Sequence, residues 1–130
     1  MAGYFDHLEC PRCGWQGSPP ASLCACGSPL LARYRIEEAR ASLRREALAG
    51  RERSLWRYRE LLPAVPPITL GEGGTPLVPA RRLGKEVGLP HLSIKDEAVN
   101  PTGSFKARGM SVAVSVAASQ GARVVAAPSA

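Results

Sequence analysis

The sequence predicts an α/β chain in two dissimilar pieces, a small cysteine-paired module followed by the start of a parallel sheet. Three observations carry that expectation. All four cysteines fall within the first 26 residues, in two close pairs. An arginine-rich stretch of helical spacing comes next and is closed by prolines. Residues 91–127 then read as strand, helix and strand in succession, the pattern of a βαβ unit.

The cysteines run Cys10-Pro11-Arg12-Cys13-Gly14 and, ten residues further on, Cys24-Ala25-Cys26-Gly27. Two close pairs separated by a short loop can bring four sulfurs to one tetrahedral centre. Gly14 and Gly27 allow the backbone to turn tightly after each pair, so that amides point at thiolate sulfur. The flanks, residues 4–8 and 30–34, suit short strands. The expectation is a zinc-ribbon-like module over residues 1–32, with Cys10, Cys13, Cys24 and Cys26 as metal ligands. Four protein ligands leave no open position for water, so such a site is structural. Two disulfides or plain buried thiols are the competing readings. The second pair is C-x-C, which makes convergence of both sulfurs on one ion harder, and His7 is a substitute ligand within reach in sequence.

Residues 33–66 read as a helical linker. From Ile36 to Leu48 the apolar positions Ile36, Ala39, Leu43 and Ala47 share a face, with Glu37 and Glu38 near the positive end of the helix. A second short helix is expected over 54–62, ended by Pro63, Pro66 and Pro67. Between Leu31 and Glu60 there are nine arginines and five glutamates, a local +4 within a net charge of +6. Acids and bases alternate and interleaved stacking aromatics are scarce, so the segment reads as a solvated helical face, not a nucleic-acid site. At 45% hydrophobic and 22% charged residues the chain can bury a core. It has no basic start followed by an apolar run and no stretch long enough to span a bilayer, which makes the cytoplasm the expected location.

Residues 67–130 carry the α/β part. Gly71-Glu72-Gly73-Gly74-Thr75-Pro76-Leu77 is a tight loop without the lysine or spacing of a phosphate-binding P-loop. A strand is expected over 91–96 (HLSIKD) and a buried helix over 105–120, its apolar residues spread around most of the circumference. A second strand, parallel to the first, is expected over 123–127 (RVVAA). Lys106 sits in the first turn of the helix, where the dipole opposes a cation and favours the neutral, nucleophilic amine. A lysine snorkelling at the surface explains that position equally well until the wider motif is considered.

That motif, from Asn100-Pro101-Thr102-Gly103-Ser104-Phe105-Lys106 to Arg108-Gly109-Met110, resembles the cofactor-lysine motif of the tryptophan-synthase-like (fold type II) pyridoxal-phosphate enzymes. GEGGTPL at 71–77, KDE at 95–97 and LWRYRELLP at 55–63 resemble the threonine synthase family in particular, many of whose members begin with a cysteine-paired ribbon. The resemblance implies a parallel-sheet domain like the tryptophan synthase β subunit, pyridoxal 5'-phosphate on Lys106, and conversion of O-phospho-L-homoserine and water to threonine and phosphate. It also implies a homodimeric full-length enzyme. Pro128-Ser129-Ala130 is similar to the start of the family's substrate-carboxylate loop, which makes Ser129 a candidate substrate-binding residue and the chain an N-terminal fragment. Ala107 stands where the family has aspartate; serine/threonine dehydratases of the same fold share that feature and form the alternative. From a different class, the rival is a zinc-ribbon module that binds nucleic acid or protein.

Overall fold

Alternation of apolar and polar residues before and after the cysteines produces the first sheet. A computed structural model describes residues 3–19, 21 and 23–127 of the chain. In it, β1 (Phe5–Glu9), β2 (Gln16–Gly17) and β3 (Leu31–Tyr34) form an antiparallel sheet in the order β2-β1-β3. Leu8 lies opposite both Gly17 and Ala32, and the β1–β3 register shifts between Phe5 and His7, a bulge that bends the strand. Phe5 and Tyr34 meet edge to face at 5.9 Å, the arrangement that aromatic quadrupoles favour. Across the same pair of strands, Arg33 Nε donates to Glu9 Oε2 at 2.7 Å.

The expected helix over 36–48 is shorter than its periodicity implies. α1 runs Ile36–Ser42, with Glu37 and Glu38 in its first turn and Ala39 buried. The Ser42 hydroxyl donates back to the Ala39 carbonyl at 3.2 Å, a local bond that competes with helix propagation. Glu46–Leu48 continues only as a 3-10 turn. The expected helix over 54–62 is likewise a 3-10 segment, Leu55–Leu61, kinked at Tyr58. A half-buried guanidinium ties these turns together. Arg51 makes a two-pronged ion pair with Glu60 (2.6 and 2.7 Å) and also donates to the Arg57 carbonyl. Arg57 in turn donates to the Leu48 carbonyl.

The chain divides into two compact units, Met1–Arg51 with Trp56–Ala64, and Glu52–Leu55 with Val65–Ala130. In the second unit, β4 (Leu77–Pro79) pairs antiparallel with β5 (Ser93–Lys95), in the register Leu77↔Lys95 and Val78↔Ile94. The short helix α2 (Arg81–Glu86) connects them. α3 spans Lys106–Ser119, close to the expected bounds, and the chain turns away at Gly121 (φ +85°).

Two expectations for this unit are corrected. Residues 123–127 form no strand, and among the described residues no parallel pair exists: β5 pairs only with β4, and antiparallel. Val124 is 85% exposed, so the apolar run that reads as a buried strand has no neighbouring strand to cover it. Nor is α3 buried around most of its circumference: Met110 and Ala113 are exposed, and the helix buries a single face. It consists of Ala107, Ser111 and Ser115, spaced four apart, while Val112, Val114 and Val116 are half-buried. The small side chains let the extended segment near Ile68 approach the helix. Ser111 Oγ donates to the Ile68 carbonyl at 2.7 Å, and the Ile68 amide donates to Ser115 Oγ at 2.8 Å. The two serine hydroxyls thus partner both the carbonyl and the amide of Ile68, which apolar residues cannot do. No helix among the described residues is long and apolar enough to cross a membrane.

Candidate functional site

Two tight turns build the cysteine site. The Gly14 amide donates to the Cys10 carbonyl (3.0 Å) and the Gly27 amide to the Cys24 carbonyl (2.8 Å). Both glycines take the left-handed angles that a tight turn needs, φ +73° and +80°. The four sulfurs lie within 4.8 Å of one another, with Cys10–Cys26 at 3.5 Å and Cys13–Cys24 at 3.6 Å. These separations far exceed a disulfide bond of about 2.05 Å. They match the sulfur–sulfur edge of about 3.8 Å that follows from tetrahedral zinc with bonds of about 2.3 Å. The C-x-C pair therefore converges with the C-x-x-C pair. His7 is no part of the cluster; its Nδ1 faces Asp6 at 2.9 Å.

The thiols differ in acidity. Burial works against a charge on Cys10, but the amides of Cys13 and Arg12 hold its thiol down to about 6. For Cys13 the Trp15 amide favours the thiolate, yet the neighbouring sulfurs of Cys10 and Cys24 push it up to about 12. For Cys26 the Ser28 amide favours the thiolate, but the neighbouring Cys10 sulfur and burial push its thiol up as well. The donor set, sulfur-only and closed, suits structural zinc.

The second site assembles around the start of α3. Lys106 is its first residue and is exposed; its backbone amide donates to Ser104 Oγ at 3.2 Å. The preceding turn closes through the Gly103 amide to the Asn100 carbonyl (2.7 Å), with Gly103 at φ +67° and open space beside it. An exposed primary amine next to an open glycine turn is chemically suited to a carbonyl cofactor.

Beneath that turn lies a network whose members the sequence places in three separate motifs. Asn100, 5% exposed, accepts from the Gly73 amide at 3.0 Å and donates to the Glu97 carbonyl and to Glu97 Oε2, both at 2.9 Å. Arg108 grips the Glu97 carboxylate with Nε (2.7 Å) and Nη2 (2.8 Å), and Thr75 Oγ1 donates to Glu97 Oε1 at 2.5 Å. Lys95 Nζ donates to the Thr75 carbonyl at 2.9 Å. The Arg108 guanidinium foremost, then the Thr75 hydroxyl, holds the Glu97 carboxyl far below the usual carboxylate range. Glu72 of the glycine loop is a second buried carboxylate, 1% exposed. Burial disfavours its charge, but the donors around it, among them the Thr69 hydroxyl and the Leu70 amide, keep it below the ordinary value.

Glu97, Arg108, Asn100 and Thr75 are the residues that motif reading quoted without giving them a role. Their signal was an acid and a base of opposite charge on either side of a turn, eleven residues apart. Ser129, the candidate carboxylate-binding residue, lies outside the described residues.

Residues 68–130 match the family described as "Pyridoxal-phosphate dependent enzyme". The chain is 41% identical over 122 residues to the threonine synthase of Methanocaldococcus jannaschii, covering 90% of this chain and 30% of that protein. It is 38% identical over 122 residues to the threonine synthase of Methanosarcina acetivorans, covering 92% and 30%. To that of Mycobacterium leprae it is 49% identical over 71 residues, covering 52% and 19%. The chain thus spans at most about a third of the length of these curated relatives. No solved structure matches it. Residues 68–130 are thus similar to the pyridoxal-phosphate dependent enzymes, and the chain is similar to threonine synthases over 122 residues.

Proposed function

We propose that this sequence is the lysine-bearing part of a threonine synthase, a lyase that converts O-phospho-L-homoserine and water to L-threonine and phosphate. One observation carries the reading. The glycine loop 71–77, the KDE segment 95–97 and the lysine segment 100–110 share one hydrogen-bonded network, with Lys106 exposed at the start of the helix that carries Arg108. When bound, pyridoxal phosphate supplies an electron sink for carbanion chemistry. Lys106 would hold the cofactor by its amine and, once free of it, would carry protons as acid and base. Ser129 is assigned to the substrate carboxylate by resemblance. Cys10, Cys13, Cys24 and Cys26 hold one zinc ion that pins the first sheet and takes no part in the reaction.

Ala107 does not favour the serine/threonine dehydratase alternative. It is 6% exposed on the inner face of α3, so an aspartate there would need a partner for a buried carboxylate. Its identity follows packing as readily as substrate choice. Arg33, Arg35, Arg40 and Arg51 of the basic segment are paired with acids, which supports reading its charge as a solvated face and not as a nucleic-acid site. The test is substrate conversion by the full-length gene product. Phosphate release from O-phosphohomoserine with threonine formed is the expected result. Keto acid and ammonia from serine or threonine, with no phosphate release, would transfer the assignment to the dehydratases.

A further inference from the structure

We propose that Glu97 is a positioning residue for Lys106, acting through Arg108 and Asn100 to fix the rotation of α3 and the turn that precedes it. The proposal rests on the assignment of Lys106 above. Both Glu97 oxygens are saturated: Oε1 takes Thr75 Oγ1 and Arg108 Nη2, and Oε2 takes Arg108 Nε and Asn100 Nδ2. An ordinary surface pair uses one or two of these acceptor sites and contributes little. Here both side chains of the pair are only 24% exposed, and the contact is bidentate, which fixes direction as well as distance.

The leverage comes from helix geometry. Successive residues of an α-helix are turned by about 100°, so Lys106 and Arg108 point about 200° apart. Ala107 between them is buried, so anchoring Arg108 to Glu97 on one flank of the helix holds Lys106 on the opposite, exposed flank. A slip of one residue in the helix rotation would carry the lysine away from the Gly103 turn. Asn100 performs the corresponding task on the other side of that turn. It is bonded to Glu97 and to the Gly73 amide, so the loop 71–77 and the lysine segment move as one piece. The KDE segment thereby acquires a role: its last residue is the hub on which the other two motifs close.

The experiment uses the full-length gene product and reads capture of pyridoxal phosphate at Lys106 by borohydride reduction and peptide mass. Circular dichroism confirms folding of each variant. At subsaturating cofactor, Glu97→Gln should lower capture at Lys106 about tenfold, the scale of a lost charged hydrogen bond. Arg108→Lys keeps the charge but loses the fork, and should cost a similar factor. The double variant should be no worse than either single one, because the pair acts as a unit. Glu97→Asp, which keeps the anion, should recover part of the loss. Wild-type capture in both Glu97→Gln and Arg108→Lys, or additive losses in the double variant, would overturn the positioning role. Should Glu97→Gln fail to fold, Arg108→Lys with wild-type capture would overturn it alone. Absence of capture at Lys106 in the wild type would instead refute the Lys106 assignment, and the positioning role with it.

Discussion

Gly73 is one of two glycines by which the loop 71–77 presses on the backbone of residues 53–55, and Gly73→Ala should be a strongly damaging single-methyl change in the second unit. Its φ of +104° lies outside the left-handed helical well, and an alanine held there costs about 1–3 kcal/mol. The added Cβ would stand 2.4 Å from the Leu55 nitrogen and 2.8 Å from the Ser54 carbonyl carbon. Both are backbone atoms, so no side-chain rotation relieves the clash. Relief requires the loop to move from residues 54–55, which loosens two hydrogen bonds: the Leu55 amide to the Glu72 carbonyl (2.8 Å) and the Gly73 amide to Asn100 Oδ1 (3.0 Å). Each contributes about 1 kcal/mol, so the whole loss comes to about 3–5 kcal/mol. Gly88→Ala is the control. Gly88 also has positive φ (+72°), but its Cβ would meet no heavy atom within 4 Å, leaving only the left-handed penalty of about 1–2 kcal/mol. Urea denaturation followed by circular dichroism compares the two, with amide exchange at Leu55 reporting on the loop. Equal midpoints for the two variants, or unchanged protection of the Leu55 amide in Gly73→Ala, would refute the close-approach argument.

The purified chain should contain close to one zinc per molecule by elemental analysis. Chelation should melt the first unit, and Cys26→Ser should lower the zinc content; protein expressed in zinc-replete medium without zinc would contradict the metal site. Glu60 and Glu97 both have carboxyls held below the ordinary value of 4.5 by their arginine partners. Their contribution is therefore fully present above about pH 4.5 and is lost as the pH falls further. Glu97→Gln should flatten the acid limb of the stability curve, and an acid loss as steep as in the wild type would show that Glu97 is not part of it. Truncating Arg51 to Met should destabilise more than truncating Arg82, whose partner Glu86 is well exposed, because it leaves the Glu60 carboxylate half-buried and unpaired. Duplex and single-stranded DNA should bind weakly and be released at moderate salt, as diffuse charge dictates; tight, salt-resistant binding would reopen the nucleic-acid reading.

What could be read from the sequence was whatever rests on local spacing. The cysteine pairs with their glycines, the strands that flank them and the bounds of α3 are all local patterns, and the structure contains them. Helix length was less legible, because the 36–48 periodicity says nothing about Ser42 bonding back to Ala39. The inner face of α3 was misread for a related reason. Hydrophobicity spread around the helix points to burial on all sides, whereas the face in contact with Ile68 is made of Ala107, Ser111 and Ser115. The partner of β5 is a long-range choice that the residues 91–96 do not encode by themselves. The hub at Glu97 was legible only in part: Asn100 and Arg108 lie three and eleven residues away, but Thr75 meets it only once the loop 71–77 closes.

The central claim is that Lys106 is the cofactor lysine, and covalent trapping tests it most directly. Borohydride reduction of the full-length gene product with pyridoxal phosphate, followed by peptide mapping, should place the reduced cofactor on Lys106. Lys106→Ala should abolish both that peptide and the visible absorbance of the lysine-linked cofactor. Retention of the absorbance in Lys106→Ala, with the label on another lysine, would contradict the account.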